Sequence, residues 1–366
     1  METKNNHCVI LAGGTGARLW PISTTQKPKQ FLDLLDIGKT LIQLAYQRAS
    51  RIFPKENIWI VTLNKYKDLT QEQLPTLPEE NILTEPFQRN TASSIAYASH
   101  KIYHTTGEAN IVFTPSDHMI TDEFRFHDEL HNALDFVTQN DVILTIGVKP
   151  TRSETEYGYV QVDHAIKYKT ISNLFQVKTF TEKPSKEMAQ VFVESGEFYW
   201  NSGIYITNTK SILEGFSKYL PDIHNLFLSG RHNMCTENEP YFIRKVYAEC
   251  PNISIDYGIM EKANNVYTLI SDIGWSDLGS WNSFHENFEK DEYDNVLNGE
   301  MTLTYKTSDS IIHLPKNRRA IIQGLDNYIV VETKDILLVC KKDNEHLIRQ
   351  FNTDLKLLEE QKEEIF

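Results

Sequence analysis

Residues 11–21 read LAGGTGARLWP, and the chain then runs Pro28-Lys29-Gln30-Phe31. Three glycines, Gly13, Gly14 and Gly16, follow the apolar run Cys8-Val9-Ile10-Leu11, which reads as a buried strand. A backbone this bare approaches a phosphate closely and leaves its N–H groups free to donate. Arg18, Lys27 and Lys29 supply fixed positive charge within the same short segment. Loop donors spanning Leu11, Ala12, Gly13, Gly14, Thr15 and Gly16, with cations just downstream, are the equipment for holding a nucleoside triphosphate.

Two common glycine loops are excluded by spacing. The Walker type ends in Gly-Lys-Ser/Thr, whereas Gly16 is followed by Ala17-Arg18. The dinucleotide fingerprint G-x-G-x-x-G, counted from Gly14, places Leu19 where its third glycine belongs, which disfavours a nicotinamide-linked dehydrogenase. The plain alternative is a tight strand-to-helix turn that binds nothing.

The elements that must position this loop follow from pattern. Apolar runs at 7–12, 58–63, 81–84, 110–114 and 142–148 alternate with amphipathic segments. Leu41, Leu44, Ala45 and Arg48 share one helical stripe; Ala92, Ile95, Ala96, Ile102 and Tyr103 share another. Such alternation predicts an α/β fold with a doubly wound, mostly parallel, Rossmann-like sheet. Ligands bind such sheets at the carboxyl ends of the strands, where the loop at Gly13 is expected. After about Asp291 the texture changes to short β-rich pieces: Ser310–Leu314, Arg319–Ile322 and Tyr328–Val331. Strands spaced so closely suit a few turns of a β-helix, although no hexapeptide repeat is evident. The segment from Asp343 to Phe366 is helical in pattern, with Leu347, Phe351, Leu355 and Leu358 on one side. That side is expected to pack on the protein's own surface; a homodimer is the other arrangement it suits.

At 366 residues the chain exceeds one ordinary domain, and a large domain of about 280 residues with a smaller one is the natural division. A formal net charge of −13 argues against nucleic acid or an anionic membrane as a partner. Any polyanionic substrate must then be held by local cations against the global field. Cys8, Cys235, Cys250 and Cys340 lie far apart, so neither a zinc site nor a disulfide framework is indicated. With no signal peptide and no apolar run of membrane-spanning length, a cytoplasmic setting is the expectation.

The glycine string resembles the signature of the sugar-nucleotide pyrophosphorylases, and Arg18-Leu19-Trp20-Pro21 with Pro28-Lys29-Gln30-Phe31 is similar to their mannose-1-phosphate guanylyltransferase branch. Matching segments recur in order to about residue 288. The resemblance implies a nucleotidyltransferase catalytic domain over 1–288 and a small β-rich C-terminal domain, ending in a helix, over 289–366. It implies transfer of GMP from GTP to mannose 1-phosphate, giving GDP-mannose and pyrophosphate, with Mg²⁺ as cofactor. A guanylyltransferase for another hexose or heptose 1-phosphate and a catalytically silent, GDP-mannose-sensing relative are the alternatives. Longer relatives carry a cupin-type isomerase domain, so no isomerase activity is expected of this chain.

Residue by residue, the resemblance makes Arg18 and Lys29 the cations that neutralise the triphosphate. Asp117, in Pro115-Ser116-Asp117-His118, and Asp277, in Gly274-Trp275-Ser276-Asp277-Leu278-Gly279, become metal ligands, with Ser116 at the nucleotide. His118 could by position be a ligand or base, but the chemistry requires neither, so it reads as a structural or orienting residue. Taken singly, each aspartate would be a helix cap or turn former. Glu182-Lys183-Pro184 is similar to an element whose lysine holds the sugar phosphate and whose glutamate binds sugar hydroxyls. Trp200-Asn201-Ser202-Gly203 is similar to one whose asparagine binds the sugar, although an Asn-Ser-Gly triplet alone would mark a turn. Tyr157-Gly158 resembles a loop closing over the sugar ring; here Ser153 and Glu156 stand where proline and glycine are common. Glu85 resembles the guanine-reading acid, a carboxylate able to accept from N1–H and N2–H₂, while Asn90 either joins it at the nucleotide or caps the next helix. Ile255–Lys262 matches a further family segment and reads as a helix packing near the cleft, in support rather than catalysis, with Asp256 one layer behind the groups that line the cleft.

Overall fold

The computed structural model describes residues 5–164 and 171–363. It divides into two compact units: Met1–Gly13, Ile42–Ser116 and Ile120–Trp275 form one, and Gly14–Leu41, Asp117–Met119 and Ser276–Phe366 the other. The second unit thus joins the C-terminal pieces to three segments expected to belong with residues 1–288: Gly14–Leu41, Asp117–Met119 and residues 276–288.

In the first unit, strand β1 (Asn6–Leu11) is buried because neighbours cover both its edges: β2 (Ile58–Leu63) and β4 (Asn110–Pro115), both parallel to it. β3 (Ile82–Glu85) adds to β2, again parallel. Strands covered on both faces read as continuous apolar runs, and Ile58–Leu63 is buried throughout. The sheet continues with β5 (Ile143–Val148), β6 (Tyr159–Asp163), β7 (Leu174–Thr181), β8 (Phe198–Asn208) and β9 (Val266–Ile270). Its order is β3-β2-β1-β4-β8-β5-β9-β7-β6. The long β8 runs antiparallel between β4 and β5.

Asn201-Ser202-Gly203 therefore lies inside a strand rather than in a turn. Against β5 the register jumps from Thr145–Tyr205 to Gly147–Asn201, and Gly203 takes φ 72°. The irregularity re-aims one side chain without ending the strand. Helix Asn90–Thr106 is buried from Ala92 to Ile102, whereas Tyr103, assigned to its core stripe, is exposed. The helix packs in a core shared with Phe216, Ile223, Phe227 and Val246. Among the described residues no helix is long and apolar enough to cross a membrane.

In the second unit, Val296–Asn298, Ile311–His313 and Tyr328–Glu332 stack in parallel, as do Met301–Tyr305 and Arg319–Gln323. This is the β-helix-like arrangement expected. Its register partners Val296, Ile311 and Ile329 are spaced unevenly along the chain, which is why no regular repeat is visible. The terminal segment begins as 3₁₀ turns over Lys342–Leu347 and becomes α-helix at Ile348–Glu363; residues 364–366 lie outside the described residues. Leu347 and Leu358 are exposed, so the expected apolar side is only partly covered.

Asn295, fully buried, ties these turns together. Its Nδ2 donates to Asp291 Oδ2 at 3.0 Å and Thr307 O at 2.8 Å, and its Oδ1 accepts from Ser310 N at 3.1 Å. Asn295→Ala strands a buried carbonyl and a buried N–H, and should cost about 2–4 kcal/mol. Urea unfolding checks this; a loss below about 0.5 kcal/mol would show that water replaces the amide.

Candidate active site

In the second unit, Lys29 opens a short 3₁₀ turn, Lys29–Phe31, and is buried. Its Nζ lies 3.0 Å from Asp117 Oδ2 and donates to the backbone oxygens of Asp277 at 2.7 Å and Leu278 at 3.5 Å. An ammonium carries three N–H donors, and these are three acceptors. Arg18 Nη2 stands 3.8 Å from Asp277 Oδ2, and His118 Nε2 is 3.8 Å from Asp117 Oδ1. The other Asp277 oxygen accepts from Gly279 N at 2.8 Å. A Cβ on Gly279 would sit 2.1 Å from Asp277 Oδ2, so the carboxylate requires glycine two residues on.

The glycine loop is fastened to the turn that bears Lys29. Gly16 has φ 60°, and a Cβ there would meet Ser23 Oγ at 2.4 Å and Lys29 N at 2.9 Å. Gln30 Nε2 donates to Gly14 O at 2.8 Å. Gly14 itself faces open space, and Thr15 is partly exposed.

In the first unit, β3 delivers Glu85 to a buried position where Ser94 Oγ and Tyr247 OH donate to its Oε1 at 2.6 and 2.9 Å. A Cβ on Gly13 would lie 2.9 Å from the other oxygen. Burial pushes Glu85 up to about 7, against the pull of the two hydrogen bonds. Asn90 is the first residue of its helix rather than the cap before it. It is exposed, has φ 66°, and among the described residues its Oδ1 accepts only from the adjacent Thr91 N at 2.9 Å. Ser116 is buried and donates its N–H to Leu11 O at 3.0 Å, and the Ala12 N–H is spent on Val61 O at 2.7 Å.

The residues expected at the sugar also gather in the first unit. Asn201 N donates to Gly158 O at 2.8 Å, and Lys183 N donates to Tyr157 O at 3.3 Å. Lys183 Nζ reaches Glu182 Oε1 at 2.6 Å, and a Cβ on Gly158 would lie 2.7 Å from Glu182 Oε2. Burial, with Asp256 adding its charge, pushes Glu182 up to about 7, while Lys183 opposes the shift. The Tyr157 ring is buried edge-on against Trp200 and Trp275, each at 5.2 Å, so it props the loop. The expected supporting helix is one turn of π-helix, Asp256–Met260.

Sequence reading missed Ser94 and Tyr247 under Glu85, Thr145 and Tyr205 around Asn201, and Gly279 beside Asp277. Among these, Gly279 carried a signal, since it stands in the Gly274–Gly279 segment with Asp277. Among the described residues no three His, Cys, Asp or Glu side chains gather as metal ligands.

A carboxyl that ionises near pH 7 when folded but near 4.5 when free binds more protons folded than unfolded between those values. Stability contributed by Glu85 therefore falls as pH rises from about 4.5 to about 7. Glu85→Gln should be near neutral at pH 4.5 and stabilising by up to about 3 kcal/mol at pH 8. Melting temperatures across that range test it; a difference independent of pH would refute the shift.

A family model described as nucleotidyl transferase matches residues 7–294. A mannose-1-phosphate guanylyltransferase of Escherichia coli is 33% identical over 356 residues, covering 95% of this chain and 75% of that protein. The alginate biosynthesis protein AlgA of Pseudomonas putida is 35% identical over 358 residues, covering 96% and 71%. A crystal structure described as mannose-1-phosphate geranyltransferase from Thermus thermophilus superposes with a TM-score of 0.84 at 27% identity, covering 96% of this chain and 99% of that one. The chain belongs to the nucleotidyl transferase family, in its mannose-1-phosphate guanylyltransferase branch.

Proposed function

We propose that this chain transfers GMP from GTP to α-D-mannose 1-phosphate, giving GDP-mannose and pyrophosphate. The observation that carries the reading is the cluster of Arg18, Lys29, Asp117 and Asp277, assembled although Lys29 and Asp277 stand 248 residues apart. A sugar phosphate, with a second pKa near 6, is mostly dianionic at neutral pH and needs no general base. Its oxygen bonds to the α-phosphorus of GTP as the bond to the β-phosphate bridging oxygen breaks, and that electron pair leaves with pyrophosphate. The obstacle is repulsion: two unit charges 4 Å apart cost about 4 kcal/mol at an effective dielectric of 20. Catalysis is then positioning plus charge compensation.

Arg18 and Lys29 are the groups for the triphosphate, and Lys183 the one for the sugar phosphate. Glu85 accepts from the N1–H and N2–H₂ edge of guanine, while Glu182 and Asn201 take sugar hydroxyls. Two cations against two carboxylates leave the cluster near neutral, too little for a polyanion. Asp117 and Asp277 are hard oxygen donors of the kind Mg²⁺ uses, one or two at a time. The Lys29 ammonium between Asp117 Oδ2 and Asp277 O supports the reading that these oxygens favour positive charge. Asp117 and Asp277 would hold Mg²⁺, and the ion would supply the positive charge the reacting phosphates lack.

Pyrophosphate release with each of four nucleoside triphosphates against mannose 1-phosphate, with and without Mg²⁺, tests the reading. GTP with Mg²⁺ should stand alone, and absence of release with every pair would overturn it. Lys29→Ala should lose at least about 100-fold in turnover, a typical loss for one preorganised charge, while circular dichroism stays native. It should also bind Mn²⁺ no more weakly than the wild type, because Asp117 has lost its resident counterion. Near-normal turnover would remove Lys29 from the mechanism.

A further inference from the structure

Asn201 is held by more partners than a sugar ligand needs. Its Oδ1 accepts from Thr145 Oγ1 at 2.6 Å and from Gly203 N at 3.3 Å. Its Nδ2 donates to Tyr205 OH at 2.9 Å and to Asp256 Oδ1 at 3.3 Å. Tyr205 OH in turn donates to Asp256 Oδ1. Since those two acceptors are bonded to each other, they lie in nearly one direction from Nδ2. The two N–H bonds of a planar amide diverge, so a single shared N–H serves both. The second Asn201 N–H has no partner among the described residues.

Two of the four partners are hydroxyls, and two are not. The Thr145 hydroxyl can donate or accept and would tolerate the amide turned over, whereas Tyr205 spends its one O–H on Asp256 and so only accepts from Asn201 while that bond stands. Gly203 N can only donate, and an ionised Asp256 can only accept. Gly203 acts through its backbone and cannot be varied by side chain; Asp256 is the side chain that decides which end of the amide faces inward. The same segment also grips the neighbouring Glu182 through its backbone: Tyr257 OH donates to Glu182 O at 3.2 Å, and Glu261 Oε1 accepts from Glu182 N at 2.9 Å. The hold comes from a π turn, a rare geometry that persists where a side chain must be aimed. Asp256 is buried and bears a carboxylate that burial disfavours, so a neutral residue would pack there at less cost.

We propose that Asp256, acting with Tyr205, is a positioning residue that locks the Asn201 amide so that its unspent N–H is presented to a hydroxyl of the sugar phosphate. The inference rests on the sugar-binding role proposed above for Asn201 and Glu182, and it adds the group that orients them.

Steady-state kinetics on Asp256→Asn and Tyr205→Phe test it. Asp256→Asn keeps the shape but lets the amide face either way. The KM for mannose 1-phosphate should rise about three- to tenfold, the worth of one neutral hydrogen bond, with the KM for GTP unchanged within twofold. Its melting temperature should match or exceed that of the wild type, since a buried charge has gone. Tyr205→Phe should move the same KM in the same direction by less, because the direct contact to Asp256 remains. Equal rises in both KM values, or an unchanged KM for mannose 1-phosphate in Asp256→Asn, would overturn the positioning role. Wild-type protein that releases no pyrophosphate from GTP and mannose 1-phosphate would instead overturn the proposed function.

Discussion

The Lys29 ammonium is the point on which the second unit's chemistry turns. Buried without partners, such a charge would cost several kcal/mol, and the fold meets that cost with a carboxylate and two carbonyls. Those acceptors come from segments remote in sequence, so the side chain cannot be placed until Asp117 and the 277–279 loop are in position. Each carboxylate has its own cation: Lys29 at Asp117 and Arg18, 3.8 Å away, at Asp277.

A second constraint recurs in both units: an acidic side chain packed directly on a glycine. Glu85 Oε2 stands 2.9 Å from where a Cβ on Gly13 would be, Glu182 Oε2 2.7 Å from one on Gly158, and Asp277 Oδ2 2.1 Å from one on Gly279. Each pairing lets a carboxylate lie against bare backbone, with no side chain to push it aside. The glycines thus do more than free the loop for a phosphate. They also set where the negative charges stop.

Burial separates the acids by role. Glu85 and Glu182 are both pushed up to about 7, chiefly by desolvation, and each is steadied by named partners. A carboxyl poised near neutrality gains most from a ligand that donates hydrogen bonds, because binding repays the desolvation already incurred. Guanine's donor edge and sugar hydroxyls are ligands of that kind, which links the electrostatics of these sites to the proposed substrates.

The glycine loop, the strands over 58–63 and 110–115 and the β-helix-like tail were legible in sequence because each signal is local: an apolar run, bare backbone, closely spaced short strands. The motifs around Lys29, Asp117, Glu182, Asn201 and Asp277 were legible by resemblance. What sequence could not supply was anything decided by neighbours distant in the chain. Asn-Ser-Gly reads as a turn, yet β5 pairs with Asn201 on one side and Gly158 O accepts from Asn201 N, so the triplet is held as a bulged strand. Asn90 reads as a cap, yet the helix spans Asn90–Thr106 with Arg89 before it, and Asn90 opens it at φ 66°. Tyr205, Tyr247 and Thr145 look like ordinary core residues until packing aims their hydroxyls at Asn201 and Glu85. Residue chemistry alone determined which charges and bare loops exist; only tertiary packing decided which groups meet, because hydrogen bonds and ion pairs act over a few ångströms whatever the separation along the chain.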